Sequence, residues 1–600
     1  MTELNFKGKE FVFNHHLAVP FRPLVPDASK GIGGVRMDGN LIIQGDNLHA
    51  LKALLPMYAG KVDCIFIDPP YNTGNEGWAY NDNVNAPMIK EWLAANPIGI
   101  EDGLRHDKWC AMMWPRLRLL HELLSDEGSF WMTLDENEFY RGKGLLDEIF
   151  GEQNCVATVA WQNKVSPAND AKYFSDDFDY LVCFAKNKPQ WKIRGLERTE
   201  GQSTYFTNVD DDARGPWNSA TYTCNKTSSE RPNLYYAIKN PFNGKEVWPK
   251  KTAVWRFSKE RHEELEKDDR LYWGVNGDAE KPRLKLFLSE AGDVVPRSVW
   301  PYKEVGHTQG AMTALTQIMQ TTEFQTPKPV ELLLRVLRLA LSDRDALILD
   351  SFAGSGTTAH AVLEMNKRDG GNRKFILVEM EDYADKLTAE RVRRVINGYD
   401  FTGTQRTELL RERLNWSKLQ KADKLTEQVE KIENLHAHEY DKIKKEVKDG
   451  ELIVTGEKAV KDRAEGLGGE FTYCILGEPV DLDRILTGDT LPAWDALGAV
   501  LFHTATSQPM DAGGADEGAY YLGQTDAQHL WLIYRPDLDW LKTPDAALSL
   551  SFAQRIAAEK TDKPHLVFAP ARHVSQKMLD SQNIPVEFVP LPFALYRIGG

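Results

Sequence analysis

The chain contains few cysteines, and they lie far apart. All six are listed here in order: Cys64, Cys110, Cys155, Cys183, Cys224 and Cys474. They form no C-x-x-C pair and no nearby cluster with histidine, so the sequence suggests neither a disulfide framework nor a zinc knuckle. We therefore expect reduced thiols and no metal site.

Long apolar runs are also lacking. No stretch of about eighteen apolar residues occurs, and the N-terminal sequence MTELNFKGKEFVFNHH has neither the apolar centre of a signal peptide nor an Arg-rich transit pattern. We expect a cytoplasmic protein that does not bind a membrane. A G-x-x-x-x-G-K-[ST] loop is absent too, which disfavours a Walker-type NTPase.

The composition is that of a large folded protein. The chain has 600 residues, of which 42% are hydrophobic and 10% aromatic, so it is long enough for several domains. Its formal charge of −15 argues against a protein that coats nucleic acid through bulk charge. A local basic face can still bind phosphates.

Short apolar runs alternate with helical patterns on both sides of a long insertion. VDCIFI at 62–67, GSFWMT at 128–133, DALILD at 345–350 and KFILVE at 374–379 are typical of buried strands, and 155–162 with 178–186 predict an antiparallel pair. The pattern predicts a doubly wound α/β sheet whose strands come from two separate regions of the chain.

The first candidate site is Asp68-Pro69-Pro70-Tyr71, which directly follows a predicted buried strand. Ligand crevices form at this end of strands in open α/β sheets. The Asp68 carboxylate and the Pro69 carbonyl, held rigid by two prolines, can accept hydrogen bonds from an exocyclic amine, while Tyr71 offers a face for an extruded base. The alternative is a simple turn that ends the strand.

The second candidate site is the glycine-rich stretch Asp350-Ser351-Phe352-Ala353-Gly354-Ser355-Gly356-Thr357-Thr358. The glycines allow a ligand to approach the backbone, and Thr357 and Thr358 can cap the following helix. Glu379, at the end of the next strand, can accept hydrogen bonds from ribose hydroxyls, which indicates a nucleoside-like ligand. A tight strand-to-helix turn without a ligand is the alternative.

Together these residues resemble the DNA amino-methyltransferases that use S-adenosylmethionine, in the group whose D-P-P-Y element precedes the F-x-G-x-G element. The resemblance implies that Asp68 to Tyr71 hold the target adenine. It assigns to the methyl donor a set of residues from four segments: Asp46, Asn47, Lys328, Asp350, Phe352, Ala353, Gly354, Gly356, Thr357 and Glu379. Lys328 belongs to a T-x-K-P element near the donor's carboxylate end, for which the alternative interpretation is a proline at a helix start. For the segment Gly45 to Leu48, the alternative interpretation is a surface turn.

The D-P-P-Y extension to Asn72-Thr73-Gly74 and the large insertion narrow the resemblance to the modification (Mod) subunit of type III restriction-modification systems. It implies a permuted Rossmann-like methyltransferase sheet with an inserted target-recognition domain and a small C-terminal α/β domain. The expected domains are an N-terminal segment 1–40, core parts 41–187 and 311–400, the insertion 188–310, a charged helical connector 401–470, and the C-terminal domain 471–600.

The insertion contains a basic patch, 225–262, with nine Lys or Arg residues against three Glu. Trp248, Trp255 and Tyr236 lie within it and are candidates for base stacking, with a solvated surface as the alternative. In the connector, apolar residues at helical spacing predict one charged helix: Leu425, Val429, Ile432, Tyr440, Ile443 and Val447.

The expected reaction is methylation of the N6 amino group of a flipped adenine in double-stranded DNA. By resemblance, a homodimer and a helicase-nuclease (Res) subunit are the expected partners. Four alternatives remain: methylation of cytosine, disfavoured by Asp68; methylation of RNA or of a protein amide; an orphan methylase or one from another phage-defence system; and a non-catalytic DNA-recognition subunit.

Overall fold

The computed structural model describes residues 3–73, 103–166, 173–198, 203–320, 324, 326–448, 450–479, 491–506, 508, 510–511, 513–541 and 543–591. Gly74 of the extended motif lies outside these residues. The chain divides into two compact units, Met1–Ile193 with Arg297–Gly600, and Arg194–Pro296. The second unit lies inside the range 188–310 that we predicted for the insertion.

A ten-stranded sheet organises the first unit. Numbered along the chain, its strands are β1 Leu24–Pro26, β2 Leu41–Gln44, β3 Val62–Ile67, β4 Leu124–Leu134, β5 Cys155–Gln162, β6 Phe178–Ala185, β14 Val299–Trp300, β15 Leu347–Asp350, β16 Lys374–Glu379 and β20 Thr472–Leu476. The order across the sheet is β1-β20-β2-β16-β15-β3-β4-β6-β5-β14. The six strands from β20 to β4 are parallel, and β5 with β6 is antiparallel. The predicted α/β sheet and its antiparallel pair are confirmed.

Strands from both sides of the insertion are neighbours in this sheet. Ile348 and Leu349 of β15 pair in parallel with Cys64 and Ile65 of β3. These strands are continuous apolar runs because helices cover both faces of the sheet. Among the described residues of this part, the α-helices are Asn47–Tyr58, Arg105–Leu123, Phe139–Leu146, Tyr302–Val305, Thr308–Met319, Val330–Ala340, Thr357–Asp369 and Glu390–Asn397.

The ends of the main sheet differ from the prediction. The segment 1–40, predicted to be irregular, contains the helices Lys9–Val12 and His15–Ala18 and the edge strand β1. β20 pairs with β1 and β2, although we assigned residues 471–600 to the C-terminal domain. The predicted start at residue 471 is therefore wrong, because Thr472–Leu476 forms a strand of the main sheet.

Among its described residues, the unit Arg194–Pro296 contains short strands, the α-helix Lys259–Lys267 and two 3-10 helices. In chain order, the strands and the α-helix are β7 Trp217–Thr221, β8 Thr223–Cys224, β9 Ile238–Lys239, β10 Glu246–Val247, β11 Val254–Trp255, the helix Lys259–Lys267, β12 Leu271–Tyr272 and β13 Arg283–Phe287. Trp255 is fully buried in its core, and Tyr236 packs against that core. The Trp255 ring is therefore unavailable for stacking, and the prediction is wrong for this residue; stacking stays a prediction for Tyr236, which is partly buried, and for Trp248, which is 53% exposed.

The connector is mainly a β-sheet. β17 Tyr399–Arg413, β18 Lys442–Lys448 and β19 Glu451–Ala464 form an antiparallel sheet in the order β17-β19-β18, with helices Trp416–Leu419 and Ala422–His436. The predicted charged helix is therefore wrong beyond His436. The apolar residues Ile443 and Val447 lie on a strand, and Gly450, at φ +79°, turns the chain between β18 and β19.

The C-terminal part contains a four-stranded sheet. Its strands are β21 Tyr521–Gln524, β22 His529–Leu532, β24 His565–Ala569 and β26 Val586–Pro590, and β23 Ala547–Leu548 pairs with β25 Ala571–Arg572. The α-helices among the described residues of this part are Trp494–Thr506, Leu538–Leu541, Leu550–Glu559 and Gln576–Ser581. Strands and helices thus alternate along this part of the chain, as the sequence pattern predicted. Within the described residues, no helix has the length and apolar character that a membrane crossing requires.

Candidate functional site

Both candidate motifs line one cavity. It has a volume of about 600 Å³ and lies where β3, β15 and β16 end. Ten of the predicted site residues line it: Asp46, Asn47, Asp68, Pro69, Pro70, Tyr71, Lys328, Phe352, Gly354 and Glu379. They meet because parallel neighbours end at the same edge of a sheet, which is where ligand crevices form. The structure thus brings together residues that lie almost three hundred positions apart in the chain.

The Asp68 carboxylate is held by two partners from different parts of the chain. The Thr133 hydroxyl, on the neighbouring strand β4, donates a hydrogen bond of 2.5 Å to Oδ1. The Lys328 ammonium lies 2.5 Å from Oδ2. Hydrogen bonds to ionised groups are stronger than neutral ones, so the plane of the carboxylate is fixed on both sides.

Tyr71 and Pro70 are anchored as well. The Tyr71 hydroxyl donates to Asp179 Oδ2 at 3.3 Å, and Trp109 Nε1 donates to the Pro70 carbonyl at 2.7 Å. Burial raises the pKa of Asp179 to about 6. Lys328 Nζ lies 5.0 Å from the centre of the Tyr71 ring, within cation–π distance, so an ammonium rests on the ring that we expected to stack a base.

The glycine-rich turn forms the opposite wall of the cavity. Gly354 has φ +51°, and its amide donates to Glu379 Oε2 at 2.7 Å. Glu379 is almost fully buried, and this burial raises the pKa of its carboxyl to about 7. Phe324 and Tyr383, whose ring centres are 5.8 Å apart, also line this wall. The wall combines a buried carboxylate acceptor with aromatic surfaces.

Four predicted donor residues lie behind this wall and do not line the cavity: Asp350, Ala353, Gly356 and Thr357. Asp350 accepts hydrogen bonds from the Phe352 amide at 3.0 Å and from the Thr358 hydroxyl at 2.5 Å, and burial raises its pKa to about 7. The expected capping by Thr357 and Thr358 is wrong, because Gly356 occupies the N-cap position and the helix has no side-chain cap. These residues shape the turn from behind.

The Gly45 to Leu48 segment begins a helix beside the cavity. Asp46 Oδ1 caps Asn47–Tyr58 by accepting from the Leu48 amide at 2.9 Å. Asn47 donates to the Ser351 carbonyl at 2.9 Å, which links this segment to the glycine-rich turn. The segment is a wall of the cavity, and a plain surface turn is excluded.

The sequence did not indicate five further residues that build the site: Met112, Arg116, Thr133, Phe324 and Tyr383. The Arg116 guanidinium is buried, pairs with Asp46 at 3.2 Å and donates to Asn47 Oδ1. The sequence does not single out Arg116, because the same helix also carries the charged residues Arg105, Asp107, Lys108, Arg118 and Glu122. The others give no local signal, because long-range packing brings them to the cavity.

Comparison with known proteins supplies the family context for this cavity. A family model described as DNA methylase, N6_N4_Mtase, matches residues 62–390, which include both motifs and the whole insertion. Among curated proteins, the chain is 29% identical over 418 residues to the Mod subunit of the type III restriction-modification enzyme StyLTI from Salmonella typhimurium, covering 66% of this chain and 62% of that protein.

Two further relatives come from different systems. The Mod subunit of the type III enzyme EcoPI from Escherichia phage P1 is 30% identical, over 58% of each chain. The type II methyltransferase M.KpnI from Klebsiella pneumoniae is 29% identical, over 59% of this chain and 83% of that protein. The chain thus spans about three fifths of the length of the two Mod subunits. The predicted resemblance to Mod subunits is confirmed.

Proposed function

Because this chain belongs to the N6_N4_Mtase family of DNA methylases, we propose that it transfers a methyl group from S-adenosylmethionine to the N6 amino group of an adenine extruded from duplex DNA. The observation that carries the proposal is the single cavity shared by Asp68–Tyr71 and the turn around Gly354. A methyl donor and an amino acceptor must meet within reacting distance, and one cavity of this size provides that proximity.

The residues on the donor side fit S-adenosylmethionine. Gly354 has a positive φ, and a Cβ on it would lie 3.1 Å from the Phe324 ring, so the turn is shaped for close approach. The Glu379 carboxylate has lone pairs left for ribose hydroxyls, and Phe352 supplies apolar surface at the same wall. When bound, the donor supplies an electrophilic methyl group on a sulfonium.

On the acceptor side, the chain positions a weak nucleophile. The lone pair of an adenine amino group is delocalised into the ring, so hydrogen bonds from its two N–H groups to Asp68 and to the Pro69 carbonyl direct the remaining density at the methyl carbon. Thr133 fixes the Asp68 carboxylate, and Tyr71 supplies a face for the extruded base. Asp68 as the first residue of the tetrad favours adenine over cytosine.

The system to which the enzyme belongs is the second part of the proposal. The two Mod relatives favour the modification subunit of a type III system, which acts on double-stranded DNA as a homodimer and together with a Res subunit. The unit Arg194–Pro296 is the candidate target-recognition domain. The match to M.KpnI favours the alternative, a methylase without a type III partner.

Single-molecule sequencing of DNA from cells that express the chain tests the reaction. We expect N6-methyladenine at one sequence context, and no modification with Asp68→Ala, which keeps its binding of S-adenosylmethionine. Modified cytosine would identify the rival reaction. Loss of donor binding by the wild-type protein would favour the non-catalytic DNA-recognition subunit.

A further inference from the structure

Lys328 occupies the place that the target amino group needs. Its ammonium lies 2.5 Å from Asp68 Oδ2. Thr133 donates its hydrogen bond to Oδ1, so Oδ2 is the oxygen left to accept a hydrogen bond from the target amino group. The same ammonium lies over the Tyr71 ring. One cationic nitrogen therefore takes both the hydrogen-bond acceptor and the aromatic face on which an extruded adenine depends.

The contact between Lys328 and Asp68 is well shielded. The side chain of Lys328 is 11% exposed and that of Asp68 is 22% exposed. Solvent screens such a pair less than a surface pair. A neutral amino group competes poorly with an ammonium for a carboxylate, because only the ammonium adds the attraction between two opposite charges to the hydrogen bond. Adenine alone will therefore not displace Lys328.

The segment that carries Lys328 also contacts the donor side of the cavity. The Lys328 carbonyl accepts a hydrogen bond from the Thr357 hydroxyl at 3.2 Å, directly after the glycine-rich turn. Its backbone is thus fixed beside the donor wall, while four single bonds let its ammonium move. A carboxylate is the partner that can draw an ammonium away from another carboxylate, and S-adenosylmethionine has one.

We propose that the Lys328 ammonium occupies the position of the target amino group and leaves it only when the carboxylate of S-adenosylmethionine draws it away. Binding of the methyl donor therefore precedes capture of the base. The inference rests on the proposed function and deepens it. Lys328 is here a positioning residue, and no bond of the substrate is made or broken by it.

The affinity for S-adenosylmethionine tests whether Lys328 exchanges the Asp68 carboxylate for the donor's carboxylate, and this measurement needs no DNA. Calorimetry is carried out on four full-length proteins: wild type, Asp68→Asn, Lys328→Met and the double variant. Asp68→Asn removes the charge that retains Lys328, so we expect S-adenosylmethionine to bind roughly threefold to tenfold more tightly, which lies in the lower part of the range of coupling between contacting residues. Lys328→Met should weaken binding, and in its background Asp68→Asn should have no effect.

The probe 5′-methylthioadenosine serves as the matched control, because it keeps the nucleoside and lacks the carboxylate. Its affinity should be the same in all four proteins. Circular dichroism and melting show whether each variant is folded. If Asp68→Asn does not fold, Lys328→Met must still weaken S-adenosylmethionine and spare 5′-methylthioadenosine, and equal effects on both probes overturn the inference.

Other outcomes separate this inference from the proposed function. If folded Asp68→Asn binds S-adenosylmethionine no more tightly than the wild type, the proposed exchange is overturned. This is the result expected if Arg116, instead of Lys328, receives the donor's carboxylate. Equal tightening with and without Lys328 also overturns the exchange, because repulsion between Asp68 and the donor then suffices. Either result leaves methylation intact, whereas a wild-type protein that binds no S-adenosylmethionine overturns the proposed function itself.

Discussion

Replacing Thr133 by Val tests whether the orientation of the Asp68 carboxylate controls methyl transfer. Thr133 is fully buried, and Val has almost the same shape, so the change removes the 2.5 Å hydrogen bond to Oδ1, a weaker 3.4 Å contact with the Ile67 carbonyl, and little else. A hydrogen bond to a charged group contributes about 1.5–3 kcal/mol. Since about 1.4 kcal/mol corresponds to tenfold in rate, we expect transfer to slow about ten- to a hundredfold. Thr133 does not line the cavity, so donor affinity should change less than about twofold.

Thr358→Val is the matched comparison. Its hydroxyl makes the same type of bond, 2.5 Å to Asp350 Oδ2, at a position that is also buried, but it supports the glycine-rich turn. We expect weaker donor binding and a nearly normal rate at saturating donor. Rapid-quench measurement of transferred methyl groups on pre-bound DNA gives the rate, and calorimetry gives the affinity. A wild-type rate in Thr133→Val, or an equal loss of donor affinity in both variants, would refute the reasoning.

Three further predictions concern the donor turn, its carboxylate and the basic patch. Gly354→Ala forces a side chain into a positive φ, which costs roughly 1–2 kcal/mol, and crowds the cavity wall, so the affinity for S-adenosylmethionine should fall about five- to tenfold. Gly370→Ala is the control, because Gly370 has φ +69° and open space around it. This variant should lose similar stability and keep its donor affinity in calorimetry. Burial raises the pKa of Glu379 to about 7, so its carboxyl becomes protonated and loses acceptor capacity as the pH falls through that value. The affinity for S-adenosylmethionine should therefore be lower at about pH 6 than at about pH 8. Glu379→Gln should bind the donor weakly at both pH values, and an unchanged pH dependence in that variant contradicts the assignment. Trp248→Ala should weaken DNA binding by about 1–3 kcal/mol if the exposed ring stacks on a base, and unchanged fluorescence anisotropy with the methylated duplex would exclude this role.

The main sheet was predictable because its parallel strands are covered on both faces. Such strands read as short continuous apolar runs, as in VDCIFI of β3 and KFILVE of β16. The site followed from a second rule, since ligands bind where parallel strands end. Asp68 and Glu379 each lie at the end of a parallel strand. The position of the cavity that both line could therefore be predicted without knowing the structure of the chain between them.

The connector shows where periodicity fails. Ile443 and Val447 are four residues apart, a spacing that suits one face of a helix and also one face of a strand. Lys442–Lys448 therefore satisfied the helical pattern, although it forms β18. The Asp449-Gly450 dipeptide was the better signal, because Asp-Gly is typical of tight hairpin turns, and Gly450 does turn the chain into β19.

Pairs of charged residues could not be predicted at all. Lys328 and Asp68 are 260 positions apart, and the chain offers 73 basic and 88 acidic residues, so composition does not select a partner. The same limit applies to the basic patch, where Trp248 and Trp255 look alike in sequence. Burial in the core of their unit separates them, and burial is a property of tertiary packing.

The route of the chain through the sheet explains how the large insertion is compatible with a precise site. The chain leaves the main sheet after β6 and returns in β14, and only β5 lies between these two strands in the sheet order. The strands that carry the motifs, β3, β15 and β16, are separated from this exit and return by β4. Their spacing is fixed by direct pairing of β3 with β15 and of β15 with β16. Changes in Arg194–Pro296 therefore leave intact the strand pairing that sets the spacing of Asp68 and Gly354.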